Sequence, residues 1–465
     1  MSAPGIAGLH LVRFGTAADQ GYFLDAFAGT YDQIVVNANM IAHMPAAMAG
    51  FLAVRAKKPF FIDPQTIAFQ HEVDHLLSTS KKSAGEIKRS WKRIIQCYGN
   101  PIAQALNPES PRPILPDDFK DDKECRAFCG RVTDFQNDEL SNEFKTGEDA
   151  AYVQFLAQEA GVKELVPPSL IVAPYFFLNA SFFDQWLDVN LRCLEFTRAA
   201  LQKQGNKKPL AAQLVISQEV LLTDKLREKL IAAYRNSKAK PDVFLLWIDS
   251  FTEQELSVGE LASYVALVEG LASDGRAVVN LYGGFFSVAA ARFGVLKKKL
   301  MGVCHGLEYG ESKPVVPISG GVPVAKYYVP AIHARLSSRV AARVIRQLGG
   351  FKTVEAFRQR VCDCAACRSV IKKDPLKEFS EFTETKISTF WRSGKRVSME
   401  FPTARTSDNC TQHYMWRRYR EYTEATTLKE VCKSLRDGFD RLKTPVGLEF
   451  VGHFAIWPEA LQGAD

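Results

Sequence analysis

The chain has 465 residues, of which 46% are hydrophobic and 24% are charged, a mixture typical of a globular protein that buries a sizeable core. No apolar run is long enough to span a bilayer, and residues Met1–His10 lack the pattern of a secretion signal, so we expect a cytoplasmic protein without membrane contact. Lys and Arg exceed Asp and Glu by seven, which fits phosphate-rich partners, and the ten cysteines indicate thiols or metal ligands rather than a disulfide framework.

Short apolar, β-branched runs recur along the chain and alternate with helical patterns. Such runs favour parallel strands that are covered on both faces. Eight of these units favour an α/β fold of the (β/α)8 TIM-barrel class, although an open doubly wound sheet has the same periodicity. The predicted strands are Gln33–Asn39, Pro59–Asp63, Ser169–Pro174, Ala212–Ser217, Asp242–Asp249, Arg276–Tyr282, Lys299–Cys304 and Lys326–Pro330.

Two stretches interrupt this rhythm. Residues 76–165 are mostly helical in pattern and charged, which predicts a helical insertion after the second predicted strand. Residues 370–410 are polar and poor in strand signals, apart from a possible hairpin around Lys395–Phe401. We therefore predict a barrel domain over residues 1–349 and a C-terminal subdomain over residues 350–465.

The segment that follows the second predicted strand contains a His-Glu-x-x-His pattern, from His71 through Glu72 to His75. On an α-helix this spacing places both imidazoles on one face as zinc ligands, with Glu72 as a general base. A zinc hydrolase is therefore one alternative function. The other interpretation is an ordinary helix start, since no third ligand follows at short range.

Basic residues gather in short clusters that include aromatic side chains. The clusters are Lys81-Lys82, Lys88–Arg93, Lys297–Lys299 and Arg417–Arg420. This combination suits tracking of a phosphate backbone together with stacking on bases. Solvated helix faces give the same pattern, so both interpretations stay open.

Three cysteines stand within six positions at Cys362, Cys364 and Cys367. Thiolates this close repel one another unless a cation holds them, and zinc takes sulfur and nitrogen ligands at such spacing. Cys410 or His413 can supply the fourth ligand, and we favour His413 because it begins a basic amphipathic stretch. Four protein ligands would make the Zn2+ ion structural; three buried thiols without metal are the alternative.

The spacing of Cys362, Cys364 and Cys367 with a distal His413 resembles the zinc motif of the tRNA-guanine transglycosylases, which are TIM barrels with a C-terminal zinc subdomain. Further segments resemble other parts of that family, namely Val35–His43, Pro59–Gln70, Trp186–Arg198 and His413–Tyr419. The resemblance implies an enzyme that exchanges guanine in tRNA or DNA for a 7-deazaguanine, through carboxylate-assisted cleavage of the glycosidic bond. It also implies a possible homodimer.

The resemblance implies a set of catalytic residues. Asp63 corresponds to the family's base-facing aspartate and ends a strand, where barrel enzymes carry their chemistry, although a helix cap is the other interpretation. The family's nucleophilic aspartate is missing from Leu300–Glu311. Glu308, His305 and Asp249 are the candidates that remain for this role.

The resemblance also implies a set of substrate-binding residues. Asn39 corresponds to the family's Asn in its first strand-end motif and would orient the catalytic carboxylates or form a turn. Gln70 corresponds to the last residue of the family's Asp-Ser-Gly-Gly-aromatic-Gln motif. Tyr175 and Phe176 stand where the family has a base-recognising aspartate, and they would stack on a base or pack in the core. Gly320 and Gly321 would seat a phosphate or form a simple turn. Because the catalytic pattern departs from the family's, a nucleic-acid or modified-base binding protein without catalysis is the second hypothesis.

Overall fold

The computed structural model describes most of the chain. The described residues are 3–14, 29–78, 83–107, 109–147, 150–162, 165–307, 309–316, 324–392, 395–424 and 427–463.

Nine strands form one parallel sheet, and short antiparallel pairs form two more. The parallel strands are β1 His10–Phe14, β2 Gln33–Asn37, β3 Phe60–Asp63, β4 Ile171–Val172, β5 Phe177–Leu178, β6 Leu210–Ile216, β7 Val243–Ile248, β8 Ala277–Asn280 and β9 Leu300–Gly306. The antiparallel pairs are β10 Lys326–Val329 with β11 Ala334–Ser337, and β12 Thr385–Arg392 with β13 Lys395–Pro402.

The parallel sheet curls into a nearly closed barrel. Its order is β3-β2-β1-β9-β8-β7-β6-β4, and β5 also pairs with β6, so β4 and β5 together fill one of eight positions. The two edge strands approach each other, because the backbone N–H of Ser169 donates to the carbonyl of Phe60 at 2.8 Å. Consecutive strands are neighbours throughout, which is the order of a (β/α)8 barrel and not of an open doubly wound sheet.

Helices lie between and after the parallel strands along the chain. The α-helices are α1 Ala38–His43, α2 Pro45–Gly50, α3 Arg89–Tyr98, α4 Ile102–Ala105, α5 Asp122–Thr146, α6 Ala150–Glu159, α7 Phe183–Lys203, α8 Gln218–Leu222, α9 Asp224–Asn236, α10 Val258–Ala272, α11 Phe285–Arg292, α12 Ser338–Gln347, α13 Val354–Arg360, α14 Ala365–Val370, α15 Pro375–Glu378, α16 Ala404–Thr423, α17 Leu428–Leu442, α18 Leu448–Val451 and α19 His453–Gln462. Short 3-10 turns cover Thr66–Gln70, Val73–Leu76, Pro116–Phe119, Glu253–Glu255, Pro330–Ile332 and Phe379–Phe382, and a π-helix covers Phe51–Ala56.

The barrel interior is filled by side chains from alternate strand positions. Leu11, Val35, Phe61 and Leu245 belong to one buried apolar cluster that also reaches Tyr175. Because successive side chains of a strand point to opposite faces, Arg13, Asn37 and Asp63 share the face of this cluster. The interior is therefore apolar in its depth and polar towards the carboxyl ends of the strands.

The predicted number of strands is right, but two assignments are wrong. The first strand, His10–Phe14, was missed because His10 and Arg13 break its apolar run, although both are buried. Lys326–Val329 is not a barrel strand, since it pairs antiparallel with Ala334–Ser337. Its apolar run reflects burial of Tyr327, Tyr328 and Val329 in the second unit of the chain. Because His10–Phe14 is the first strand, the predicted second strand is in fact the third.

The segment between β3 and β4 is helical and contains α3 to α6. It follows the third strand of the barrel rather than the second. Its longest helix, α5, packs on α7 and contacts β4. Whether part of this segment is an insertion relative to other barrels stays a prediction.

The chain divides into two compact units. The first comprises Met1–Phe251, Ala262–Ser287 and Leu296–Pro317, and the second Thr252–Leu261, Val288–Val295 and Ile318–Asp465. The predicted boundary at residue 349 falls inside the second unit. Among the described residues, no helix combines the length and the apolarity needed to cross a bilayer.

Candidate functional site

A buried ion pair lies at the carboxyl end of the barrel strands. Nη1 of Arg13 is 2.6 Å from Oδ2 of Asp63 and donates to Oδ1 of Asn37 at 2.7 Å. The second oxygen of Asp63 accepts from the hydroxyl of Tyr175 at 2.5 Å and from the backbone N–H of Gln65 at 2.9 Å. Asp63 is 1% exposed, so both of its oxygens are held by protein donors in a site closed to water.

Strand register explains why these groups meet. Asn37 is paired with Asp63 across β2 and β3, and Arg13 lies on the adjacent strand β1. Burial alone would lower the pKa of Arg13, but its interactions with Tyr282 and Asp63 outweigh burial and raise that pKa. Burial, with the charge of Asp63, raises the pKa of Tyr175 well above its usual value. Arg13 is therefore a permanent cation and Tyr175 a neutral hydrogen-bond donor.

Several polar atoms of the barrel interior have no hydrogen-bond partner among the described residues. They are Nε and Nη2 of Arg13, the hydroxyl of Tyr282, and both amide atoms of Gln213. An unsatisfied buried polar group costs about 1–3 kcal/mol, so such groups mark places where a ligand or an ordered water completes the bonding. The interior of the barrel therefore contains buried donors and acceptors that no described residue satisfies.

Aromatic rings surround a lysine beside this polar centre. Nζ of Lys313 lies 4.9 Å from the ring centre of Trp247, 5.2 Å from that of Tyr309 and 5.8 Å from that of Tyr282. The indole N–H of Trp247 donates to the carbonyl of Lys313 at 3.0 Å, which fixes the lysine backbone. Three rings and a cation are suited to holding a flat, electron-rich ring system.

A second carboxylate ends β7 at the same edge of the barrel. Oδ1 of Asp249 accepts from the backbone N–H of Val315 at 2.7 Å and from Oγ of Ser250 at 3.2 Å. The side chain is partly exposed, and its Oδ2 has no hydrogen-bond partner among the described residues. Asp249 also interacts electrostatically with His71, whose pKa is lowered to about 4 by burial and by His75. Asp249 thus keeps one oxygen available, in contrast to Asp63.

The structure places two predicted substrate-binding residues in backbone contacts. The backbone N–H of Asn39 donates to the side chain of Gln65 at 3.0 Å, and it is Asn37 that shares Arg13 with Asp63. The amide of Gln70 pairs with both backbone groups of Phe177, at 2.7 and 3.1 Å. Gln70 therefore fixes the loop after β3 against β5, and Asn37, not Asn39, contacts the guanidinium that binds Asp63.

Two other predicted residues, Phe176 and His305, point away from the barrel interior. Phe176 is fully buried and packs on Trp186 and Phe119, with ring centres 4.8 and 4.9 Å away, so it cannot stack on a substrate base. His305 is fully buried, with Nε2 2.8 Å from Nε2 of His10. The neighbouring Cys304 belongs to the interior cluster. Predicted residues Glu308, Gly320 and Gly321 lie outside the described residues.

The His-Glu-x-x-His pattern does not form an α-helix. Thr66–Gln70 and Val73–Leu76 are separate 3-10 turns, and His71 between them has an extended backbone. His71 and His75 therefore do not share one helical face. Among the described residues, no group of three or more close metal-ligating side chains includes either histidine.

A buried group of three thiols and one imidazole lies in the second unit. The ligand atoms of Cys362, Cys364, Cys367 and His413 lie within 4.8 Å of one another, and all four residues are buried. Nδ1 of His413 is 3.4 Å from Sγ of Cys364 and 3.3 Å from Sγ of Cys367. Hydrogen bonds from Cys362 and Cys367 lower the pKa of Cys364 to about 4, so the group carries negative charge at neutral pH.

Local structure positions these ligands. Cys364 caps the N-terminus of α14, where its Sγ accepts from the backbone N–H of Cys367. His413 projects from α16, and its Nε2 is 2.6 Å from the carbonyl of Tyr328, which leaves Nδ1 facing the thiols. The ring of Tyr327 stacks on that of His413, with centres 4.0 Å apart. A backbone carbonyl on the far nitrogen is the usual way in which proteins orient a metal-binding histidine.

Cys410, the other candidate for the fourth ligand, lies outside this group. Its Sγ donates to the carbonyl of Phe382 at 3.5 Å, and burial raises its pKa to about 12. His413 is therefore the residue that the structure brings to the three cysteines.

A further group of buried thiols lies between α5 and α7. Cys125, Cys129 and Cys193 have ligand atoms within 4.8 Å of one another, and Sγ of Cys125 is 4.0 Å from Sγ of Cys193. Hydrogen bonds from Cys129 and Cys193 lower the pKa of Cys125 to about 4. Among the described residues, no histidine or carboxylate completes this group to four ligands.

The chain was compared with family models, curated proteins and solved structures, and none of them matches it.

Proposed function

We propose that this protein exchanges a guanine-type base in a nucleic acid for a 7-deazaguanine, as the tRNA-guanine transglycosylases that it resembles do. The observation that carries the proposal is the convergence of Cys362, Cys364, Cys367 and His413 in a chain that also forms an eight-position parallel barrel. The resemblance rests on the cysteine spacing with the distal His413 and on scattered sequence segments, and the barrel is the fold that it implies. The presence of this cluster and the barrel in one chain supports the resemblance more than either does alone.

In this proposal Zn2+ binds the three thiolates and Nδ1 of His413. Thiolates with one imidazole are a donor set that zinc prefers, and donors 3.3–3.4 Å apart are close enough to share one ion. Four protein ligands leave no open position, so the ion holds α14 and α16 together and takes no part in the chemistry.

The barrel mouth supplies the reacting groups. Asp249 is the nucleophile in this proposal, because it is partly exposed and keeps Oδ2 available. Its oxygen attacks C1′ of the nucleoside, the C1′–N9 bond breaks, and its electron pair leaves with guanine, which takes up a proton. N9 of the incoming base then loses its proton and attacks C1′, which breaks the bond to Asp249 and restores the carboxylate.

The polar centre of the barrel has a binding role in the proposal. Arg13, held by Asp63, presents Nε and Nη2 to carbonyl or ring-nitrogen acceptors of the base. Tyr282 supplies a hydroxyl and, with Trp247, an aromatic surface. A base reaches such a centre only when it is turned out of its stack, which costs a few kcal/mol and favours a loop or a distorted duplex.

The test is incorporation of labelled guanine into tRNA and into duplex DNA. We expect incorporation with one of them, and at least a 100-fold loss of rate in Asp249→Asn. Asp437→Asn is the matched control, since Asp437 is exposed on α17 and pairs with Lys433, also on that helix. If Glu308→Gln abolishes incorporation and Asp249→Asn does not, the nucleophile assigned here is wrong.

A second function is favoured by one observation. Both oxygens of Asp63, the carboxylate that the resemblance assigns to catalysis, are occupied by protein donors. A barrel of this kind can bind a modified base or nucleic acid without exchanging it. Binding without incorporation for either nucleic acid would support this function over exchange.

A further inference from the structure

A cavity of about 840 Å³ in the second unit is lined by four arginines: Arg358, Arg360, Arg417 and Arg441. Its volume falls in the range of small-molecule sites, which is about 300–1,000 Å³. The last turns of α12, α13 and α17 form part of its wall, together with the chain at Cys362 and Asp363.

The arginines are not balanced by acids of the cavity wall. Asp363 is the acidic residue of the lining, and its carboxylate is bound by Arg368 and Arg420, neither of which belongs to the lining. Each helix C-terminus contributes about half a negative charge, so three of them offset fewer than two arginines. Arg417 also pairs with Glu424, which lies outside the lining. The three other arginines have no acidic partner among the described residues, so a net positive charge remains in the cavity after the helix ends are counted.

Two observations indicate that these guanidinium groups are available. Arg358 and Arg441 are exposed and make no hydrogen bond or ion pair with the described residues. Arg417 is largely buried, with a side chain 12% exposed; its Nη2 pairs with Glu424 at 3.4 Å, and its Nε has no hydrogen-bond partner among the described residues. A buried unpaired donor costs free energy unless something outside the protein satisfies it.

We infer that this cavity binds phosphate groups of the polynucleotide on which the protein acts. Arginine is suited to this because its planar guanidinium matches two oxygens of a phosphate at once. The inference rests on the proposed function, since a polynucleotide substrate supplies the phosphates. It adds a backbone-binding site in the second unit to the base-binding site of the first.

The experiment measures binding of a labelled 20-nucleotide single strand, a 20-base-pair duplex and tRNA to the full chain at several salt concentrations. The variant is Arg358→Gln/Arg441→Gln, because both residues are exposed and their loss spares the core. The control is Arg405→Gln/Arg436→Gln, which removes the same charge from exposed arginines of the second unit outside the cavity. Each lost phosphate contact lowers the slope of log affinity against log salt by ~0.7–0.9.

We expect the cavity variant to lose a slope of about 1.5 and to bind about 10-fold more weakly near 100 mM salt, and the control to change less than about 2-fold. Equal slopes for the two variants would overturn the inference, even if the wild-type protein incorporates guanine. If the cavity variant loses affinity and salt slope but the wild-type protein incorporates no label, base exchange is refuted and the phosphate-binding role of the cavity is supported. If inorganic phosphate or GMP displaces the labelled strand and binds as tightly as the strand does, the ligand of the cavity is a small phosphate compound and not a polynucleotide.

Discussion

Arg13 on β1 and Asp63 on β3 form an ion pair inside the barrel, with Nη1 2.6 Å from Oδ2 and side chains 5% and 2% exposed. The strand between them, β2, contributes Asn37 to the same guanidinium. Three neighbouring strands are thus joined by one cation. Because the pair is desolvated, each partner depends on the other.

Removing one partner of this pair should be strongly destabilising. We expect Arg13→Met to lower the free energy of unfolding by about 3–5 kcal/mol, because the charge of Asp63 then stays buried without an opposite charge beside it. The double variant Arg13→Met/Asp63→Leu should recover much of this loss. Urea unfolding measures both. Lys92→Met breaks the exposed pair with Glu86 and should cost less than about 1 kcal/mol. A double variant as unstable as the single one would contradict the argument.

Replacing Gln213 should have the opposite effect. Its two amide atoms are buried without a partner among the described residues, so the isosteric Gln213→Met should raise the free energy of unfolding by about 1–2 kcal/mol. Gln136 is the matched control, since its buried amide bonds to backbone groups of Val132 and Val172. Gln136→Met should lower stability by about 1–3 kcal/mol. If Gln213→Met also destabilises, an ordered water or another group satisfies the amide.

The fold class was predictable because seven of the eight apolar runs are buried parallel strands, but the identity of the strands was only partly predictable. His10–Phe14 carries a histidine and an arginine, and nothing local reveals that Asp63 neutralises that arginine. Lys326–Val329 is apolar because it is buried, and burial alone does not distinguish a parallel strand from an antiparallel one. Long-range pairing decides both cases.

The candidate site also has a part that the sequence predicts, the cysteine cluster, and a part that it does not, the barrel mouth. The three cysteines were predictable because they are close in sequence, and the basic amphipathic stretch after His413 already favoured that residue over Cys410; the fold shows that His413 is the one that lies beside the thiols. The barrel mouth was harder, since a shift of one position reverses the face of a strand. Tyr175 reaches Asp63 whereas Phe176 packs outward. Arg13 and Tyr282 gave no sequence signal, because their roles arise from strands distant in the chain.

Measuring the metal content of variants distinguishes the thiol group that binds an ion from the one that does not. We expect elemental analysis of the purified protein to find about one zinc per chain, and Cys364→Ser and His413→Ala to lose it and to unfold at lower temperature. Cys410→Ser is the matched control, because Cys410 lies one turn before His413 but bonds to Phe382. Cys193→Ser should also retain the ion, since its group has no fourth ligand among the described residues. Retention of zinc by His413→Ala would contradict the ligand set.

Stability should fall in acid because of His71. Burial and His75 lower its pKa to about 4, against a usual value of 6.5, so the folded protein keeps this imidazole neutral. As the pH falls below about 6.5 the unfolded chain takes up the proton first, and stability is lost progressively until about pH 4. The contribution at pH 7 is about 3 kcal/mol, because each tenfold difference in proton affinity between the folded and unfolded chains corresponds to about 1.4 kcal/mol.

The variant His71→Gln should therefore flatten part of the decline in unfolding free energy between pH 7 and 4.5, measured with urea at each pH. The decline will not vanish, because burial also lowers the pKa of His453 to about 3. His43→Gln serves as the control, since His43 is exposed at the end of α1 and should leave the decline unchanged. A decline in His71→Gln as steep as in the wild type would mean that the imidazole of His71 is already solvated in the folded protein.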